Sequence, residues 1–221
     1  AFSADGELLF TTENDFDAGR GVVGIWDARN RYARIGEFLS GGVGPHDIKL
    51  MPDGVSLVVA NGGIETHPET GRSKLNIPTM RSNLSYLSMA GHLHLQMQLD
   101  STHQRNSIRH LAVSGQGGVA FAMQWQGDLA EDLPLLGIHH VGSDTFDLIV
   151  QASVRHMNGY LGSVAISKDG DYIATTSPRA GVIQEFRHTV LANEISIGDV
   201  CGVAASETGF FLTTGRGLVR P

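Results

Sequence analysis

Cysteine is nearly absent from this chain: Cys201 is the only one, so no internal disulfide is possible, and a single thiol leaves the redox compartment open. Proline is sparse as well, at 7 residues against 28 glycines. No apolar run approaches the roughly 18 residues that a membrane helix requires, which excludes membrane insertion through a helix. Positive charge is scarce: the formal net charge is −7, the pI about 5.7, and no stretch gathers Lys and Arg into a stripe. Phosphate neutralisation depends on such clusters, so nucleic acid is excluded as a partner. No nucleophile elbow and no phosphate-binding loop is found, since Gly41-Gly42-Val43-Gly44 opens a strand and not a helix. No segment has the 3.6-residue periodicity of an amphipathic helix.

What remains is a globular composition, 41% hydrophobic and 18% charged, in which glycine supplies many tight turns. Five segments align without gaps: AFSADGELLFTTEN at 1–14, IKLMPDGVSLVVANGG at 48–63, LAVSGQGGVAFAMQW at 111–125, VAISKDGDYIATTSP at 164–178 and VAASETGFFLTTGRG at 203–217. Each reads as an apolar strand, a glycine-centred turn and a second strand rich in β-branched and aromatic residues. The turn glycines are Gly6, Gly54, Gly117, Gly170 and Gly209, three of them preceded by Asp. Asp-Gly suits a hairpin that needs positive φ. Their spacings of 48, 63, 53 and 39 residues bracket the length of a propeller blade once loops are inserted. Outer strands fit between the hairpins: VVGIWD at 22–27 and YARIGEF at 32–38, then LSYLSM at 84–89 and HLHLQMQL at 92–99 around the turn Ala90-Gly91.

The pattern predicts an all-β chain, a β-propeller of four-stranded blades, with about five blades represented in a single domain over 1–221. One blade cannot bury both faces of its sheet, so blades must stack. The chain starts abruptly in a strand pattern at Ala1-Phe2-Ser3 and stops after another, so a fragment of a longer propeller is expected.

In such blades the Asp-Gly turns lie on one face, and the loops before and after each hairpin lie on the other. Eight residues before the turn glycines stand His46, Arg109, Gly162 and Cys201; seven before stand Asp47, His110, Ser163 and Gly202. The loops leaving the hairpins add Arg179, Arg216 and the long segment 62–83, which carries Glu65, His67 and Arg72. A loop of about twenty residues usually caps or binds something. The ligand-binding candidates are therefore His46, Asp47, Glu65, His67, Arg109, His110, Arg179, Cys201 and Arg216.

His46, His67 and His110, with Glu65 or Asp47, are the candidate metal ligands, a nitrogen and oxygen set suited to copper, iron or zinc. Hydrogen bonding between blades is the competing role for His46 and His110. Arg109, Arg179 and Arg216 are placed to clamp a small anion, or else to pair with carboxylates such as Asp199 or Glu65. Cys201 beside Asp199 reads as a buried thiol before it reads as a nucleophile. His92 and His94 belong to a solvated outer strand, and His139 and His140 point opposite ways. Asp15-Phe16-Asp17-Ala18-Gly19 resembles a calcium loop without its later glutamate.

The repeats resemble YVTN-type bacterial propellers, MPDGVSLVVANGG at 51–63 most closely. The longer strings FTTENDFDAGRGVVGIWD at 10–27, GGVGPHDIKLMPDG at 41–54, VVANGGIETHPETGRSKLN at 58–76, SIRHLAV at 107–113, TSPRAG at 176–181 and DVCGVA at 199–204 are similar to a family of secreted bacterial propellers known as domain-of-unknown-function family 1513. That resemblance implies a seven-bladed ring, a twin-arginine export signal, a periplasmic location and a setting in iron uptake. It implies no catalytic residues. The resulting expectation is a non-enzymatic periplasmic propeller that binds a periplasmic protein partner or a small anionic or metal ligand on its loop-rich face. The alternative is a metal-dependent, lactonase-like hydrolase with a metal ion held by Glu13, Asn61 and His46. A scaffold without a small-molecule site is the third reading.

Overall fold

The computed structural model describes residues 1–71, 73–217 and 219–220, the last two by backbone alone. Its strands form five antiparallel sheets, each a meander in which neighbours in sequence are neighbours in the sheet. The first holds β1 (Leu8–Asp15), β2 (Arg20–Asp27) and β3 (Ala33–Leu39). The second holds β4 (Pro45–Leu50), β5 (Ser56–Asn61), β6 (Asn83–Ser88) and β7 (Leu93–Gln98). The third holds β8 (Asn106–Val113), β9 (Val119–Trp125), β10 (Pro134–His139) and β11 (Asp147–Ser153). The fourth holds β12 (Ser163–Ile166), β13 (Tyr172–Ser177), β14 (Val182–Arg187) and β15 (Val190–Ser196). The fifth holds β16 (Val200–Ala205), β17 (Phe210–Thr214) and β18 (Val219–Arg220). Among the described residues the only helical turns are two short 3-10 segments, Pro68–Thr70 and Ile77–Thr79, and no helix is long and apolar enough to cross a membrane.

The chain divides into two compact units, Ala1–Arg109 and His110–Pro221, with the boundary inside β8. In the first unit Phe10 and Val23 of the first sheet pack against Ile48, Leu57 and Val59 of the second. In the second unit Ala174 and Ile183 of the fourth sheet pack against Val203, Phe210 and Leu212 of the fifth. These residues recur at every second position along their strands, so alternation alone directs them to one face.

The Asp-Gly hairpins share one local device. Asp53 Oδ1 accepts from the backbone N–H of Val55 (2.9 Å) and of Ser56 (2.8 Å). Asp5 and Asp169 each accept a backbone N–H two residues on and the hydroxyl of Ser3 or Ser167. These bonds favour the ionised form, and all three carboxyls sit below the usual carboxylate range. Gly6, Gly54, Gly117 and Gly170 have φ of 73°, 73°, 88° and 84°. Gly209 is not among the positive-φ residues, so the fifth repeat turns without that requirement.

Two outcomes follow for stability. Gly54→Ala should cost about 1–2 kcal/mol by placing a Cβ at positive φ, whereas Gly209→Ala should cost clearly less; urea titration of both variants checks this. The second outcome concerns His139, which is fully buried and bonded to the Ser143 carbonyl (3.0 Å). Burial pushes its imidazole down, the Ser143 carbonyl offsets part of that, and His140 adds to the depression. A depressed folded value means that the unfolded chain takes the proton more readily. Stability held above about pH 6.5 should therefore fall as the pH drops below it, and His139→Gln should flatten that part of a denaturation-versus-pH curve.

Candidate functional site

In the Ala1–Arg109 unit three connections meet at one end of the first two sheets: the β1–β2 turn, the β3–β4 loop at 40–44 and the β5–β6 loop at 62–82. Asn14, Phe16, Gly19, Val43, Ile64 and Glu65 line a shallow cleft between them. The opposite end carries the Asp-Gly turns. The sequence expectation of a loop-bearing face and a turn-bearing face thus holds within this unit.

The two long connections interlock through glycine. Gly62 N–H donates to Gly44 O (2.9 Å) and Gly63 N–H to Val43 O (2.8 Å). A Cβ on Gly44 would lie 2.7 Å from Ile64 O, and one on Gly63 would lie 2.6 Å from the Arg81 carbonyl carbon, so neither position admits a side chain. Beneath them is a buried polar knot. The Asn61 amide nitrogen donates to Ser40 O (3.0 Å), Asn83 Oδ1 (2.9 Å) and Ser85 Oγ (3.2 Å), while its oxygen accepts from Ser40 Oγ (2.7 Å). Ser40, Asn61 and Ser85 are fully buried, so these bonds replace water completely.

The long loop is ordered by its own residues. Ile64 and Met80 bury their side chains at its two ends. Asn76 ties the middle, accepting from Glu65 N–H (2.8 Å) and donating to Gly63 O (2.9 Å). His67 Nδ1 accepts from Glu69 N–H (3.2 Å) and so caps the turn Pro68–Thr70. Its ring meets Phe16 edge-on with centroids 6.1 Å apart. Glu65 extends towards Gly19, where an added Cβ would lie 3.6 Å from Oε1. Arg72 lies outside the described residues.

His46 is exposed, and its position has a specific cause. The β4–β5 ladder pairs Pro45 with Asn61 and Asp47 with Ala60, leaving His46 as the extra residue of a β-bulge. Its Nδ1 lies 3.0 Å from Arg109 O. Asp47 Oδ1 takes the N–H of Ile48 (2.8 Å) and pairs with Lys49 Nζ (3.3 Å).

The remaining candidates belong to the His110–Pro221 unit. Cys201 repeats the bulge: Val200 pairs with Thr214 and Gly202 with Thr213. Its thiol points to Asp199, with Sγ 3.2 Å from the carbonyl oxygen and 3.8 Å from Oδ1. Asp199 itself adopts φ +61°. Arg179 places its guanidinium 4.4 Å from the centroid of the Tyr160 ring, a cation–π contact at the start of the β13–β14 turn. Arg216 is exposed in the turn after β17, and His110 is half-buried in β8.

Among the described residues no group of three or more His, Cys, Asp or Glu side chains that could hold a metal ion is found. Two residues of the hydrolase alternative, Asn61 and Glu13, are engaged by protein groups. Asn61 spends its amide on the buried knot. Glu13 lies down over Gly24, where a Cβ would stand 2.0 Å from its Oε1, and binds Thr11 Oγ1 (2.6 Å) and Arg34 Nη2 (2.8 Å). Partial burial pushes the Glu13 carboxyl up, but the Thr11 hydroxyl and the Arg34 guanidinium outweigh it and hold it below the usual range. Sequence reasoning missed Asn76 and Phe16. Asn76 works on backbone atoms eleven and thirteen residues away, which no spacing rule registers; an Asn preceding Ile77-Pro78 in a long loop was the available signal.

Asn76→Ala should release the loop without unfolding the sheets. Amide exchange at Glu65 and its neighbours should quicken severalfold, while β5 and β6 keep their protection in hydrogen-exchange mass spectrometry.

A family model described as "Protein of unknown function (DUF1513)" matches residues 1–220. No curated protein matches the sequence. Among solved structures the chain is similar to Kuenenia stuttgartiensis hydrazine synthase, with 14% identity and a TM-score of 0.72 over 99% of this chain and 69% of that one. At that identity the likeness shows the fold alone, a β-propeller-like all-β arrangement.

Proposed function

We propose, since the chain belongs to the DUF1513 family of proteins of unknown function, that it is a non-enzymatic binding module: part of a seven-bladed β-propeller, acting in the periplasm, that docks a protein partner or small ligand on its loop-bearing rim. The observation carrying this reading is how the described residues of the 62–82 loop are tied down. Two buried anchors, an amide tie and a histidine cap hold Glu65 and His67 in one place beside Phe16. Fixing a long surface loop costs conformational entropy, and a rigid rim lowers the ordering cost at the moment of association. The groups that catalysis would need are committed elsewhere: Glu13 to Arg34, Asn61 to the buried knot and Cys201 to Asp199. A setting in iron or other metal acquisition accords with the family resemblance.

Site-specific photo-cross-linking in native cells tests the reading. A photoreactive residue replacing Glu69, exposed on the rim loop, should capture a discrete adduct, and the same residue replacing Val55, exposed on the turn-bearing end, should not. Equal capture at both positions, or capture at Val55 alone, would overturn the rim as the docking face. Stoichiometric metal with hydrolytic turnover in protein purified from those cells would overturn the non-enzymatic reading.

A further inference from the structure

Departures from one-to-one strand pairing fall on the edges of the sheets. Among the described residues six ladders shift register, and each time the surplus residue belongs to a strand at the end of its sheet. The ladders between interior strands, β5–β6, β9–β10 and β13–β14, keep one register. Two of the six are the bulges at His46 and Cys201, on the first strands of their sheets. The other four lie on last strands. In β3, Gly36 pairs with Ile25 and Arg34 with Trp26, which leaves Ile35 over. In β7 the surplus residue is His94, between Leu93 and Leu95, and in β15 it is Ala192, between Leu191 and Asn193. In β11, Val150, Gln151 and Ala152 stand against Leu135 alone. Ile35, His94, Val150 and Ala192 are all exposed.

The last strand of a sheet offers a row of N–H and C=O groups on which a strand of another molecule can build. Proteins blunt such edges with Lys, Pro, charges, very short strands or bulges. The four last strands β3, β7, β11 and β15 are six or seven residues long, and none contains Lys or Pro. β7, LHLQMQ, has no Asp, Glu, Lys or Arg. The four strands also expose apolar side chains, among them Leu39, Leu93, Val190 and Ile195. Length and composition thus leave these edges open to pairing, and the bulge is the protective feature that all four share. A bulge bends its strand and sharpens the local twist, so the outward groups no longer follow the line of a partner strand.

We propose that the surplus residues of β3, β7, β11 and β15 are a device against strand addition: they keep the last strands of these sheets from pairing with a second copy of the chain. Removing a single surplus residue restores one-to-one pairing. The pairs on either side, Tyr86 with Leu95 and Leu87 with Leu93 in β7, become consecutive and keep their faces. The edge straightens while the packed face is unchanged. The device acts on the strands alone and is independent of what the loop-bearing rim binds.

Sedimentation velocity of the full chain tests this with two deletions, of His94 and of Ala192. His94→Ala and Ala192→Gly keep the surplus residue and serve as controls. Each deletion should raise the weight-average mass about twofold or more as concentration rises, as edge pairing of two copies requires. Both controls should sediment like the unaltered chain. Amide exchange should slow in the edited strand of the associated species. Asn193→Lys, opposite Glu185, should return the Ala192 deletion to the unaltered mass, because a lysine on an edge opposes strand addition. Unchanged mass in a deletion variant that keeps its circular-dichroism spectrum, association that Asn193→Lys does not relieve, or slowed exchange only outside the edited strand would overturn the proposal. Loss of the folded spectrum in both deletions would overturn it as well, since the surplus residues would then serve the folding of their own ladders.

Discussion

The side-chain amide of Asn61 is the constraint on which the Ala1–Arg109 unit depends. It ends β5, yet its bonds reach Ser40 in the loop after β3 and Asn83 and Ser85 at the start of β6. Because the knot is buried, each member removed leaves its partners unsatisfied in a dry site, which costs about 1–3 kcal/mol per group. Apolar packing between the first two sheets brings the strands together but is indifferent to small slides. The directional bonds of Asn61 are not. They set where the 40–44 loop lies, and the interlock of Gly44 with Gly62 and of Val43 with Gly63 follows from that placement.

The five repeats show how much of a fold one local motif can carry. A carboxylate closes three of the turns, glycine supplies positive φ at four, and alternation sends apolar residues to a packed face. None of these depends on distant residues, which favours early hairpin formation. What differs between repeats lies at the strand ends, where His46, Arg109 and Cys201 occupy matching places.

The same division explains what could be read from the sequence. All five hairpins, and the outer strands around residues 22–38 and 84–99, were legible, because turn chemistry and period-two alternation are local. The outer strands β10, β11, β14 and β15 carry weaker alternation and emerge only from the structure. The loop-bearing rim was legible as a place but not as a set of contacts. Asn61 looked like a candidate metal ligand, since burial cannot be read from one residue. Arg179 looked like an anion clamp, and its contact with Tyr160 comes from a residue nineteen positions earlier. The bulges at His46 and Cys201 were invisible as well: both residues read as positions entering a hairpin, and only the ladder reveals the extra residue.

Those two bulges separate surface chemistry from pairing. A residue without a direct cross-strand partner takes no part in the alternation that fills the core, so exchanging it leaves every pairing in place. Two repeats of one chain carry an imidazole and a thiol at this position while their hairpins stay alike. Divergence can therefore re-equip the rim one side chain at a time, with the β framework as a bystander.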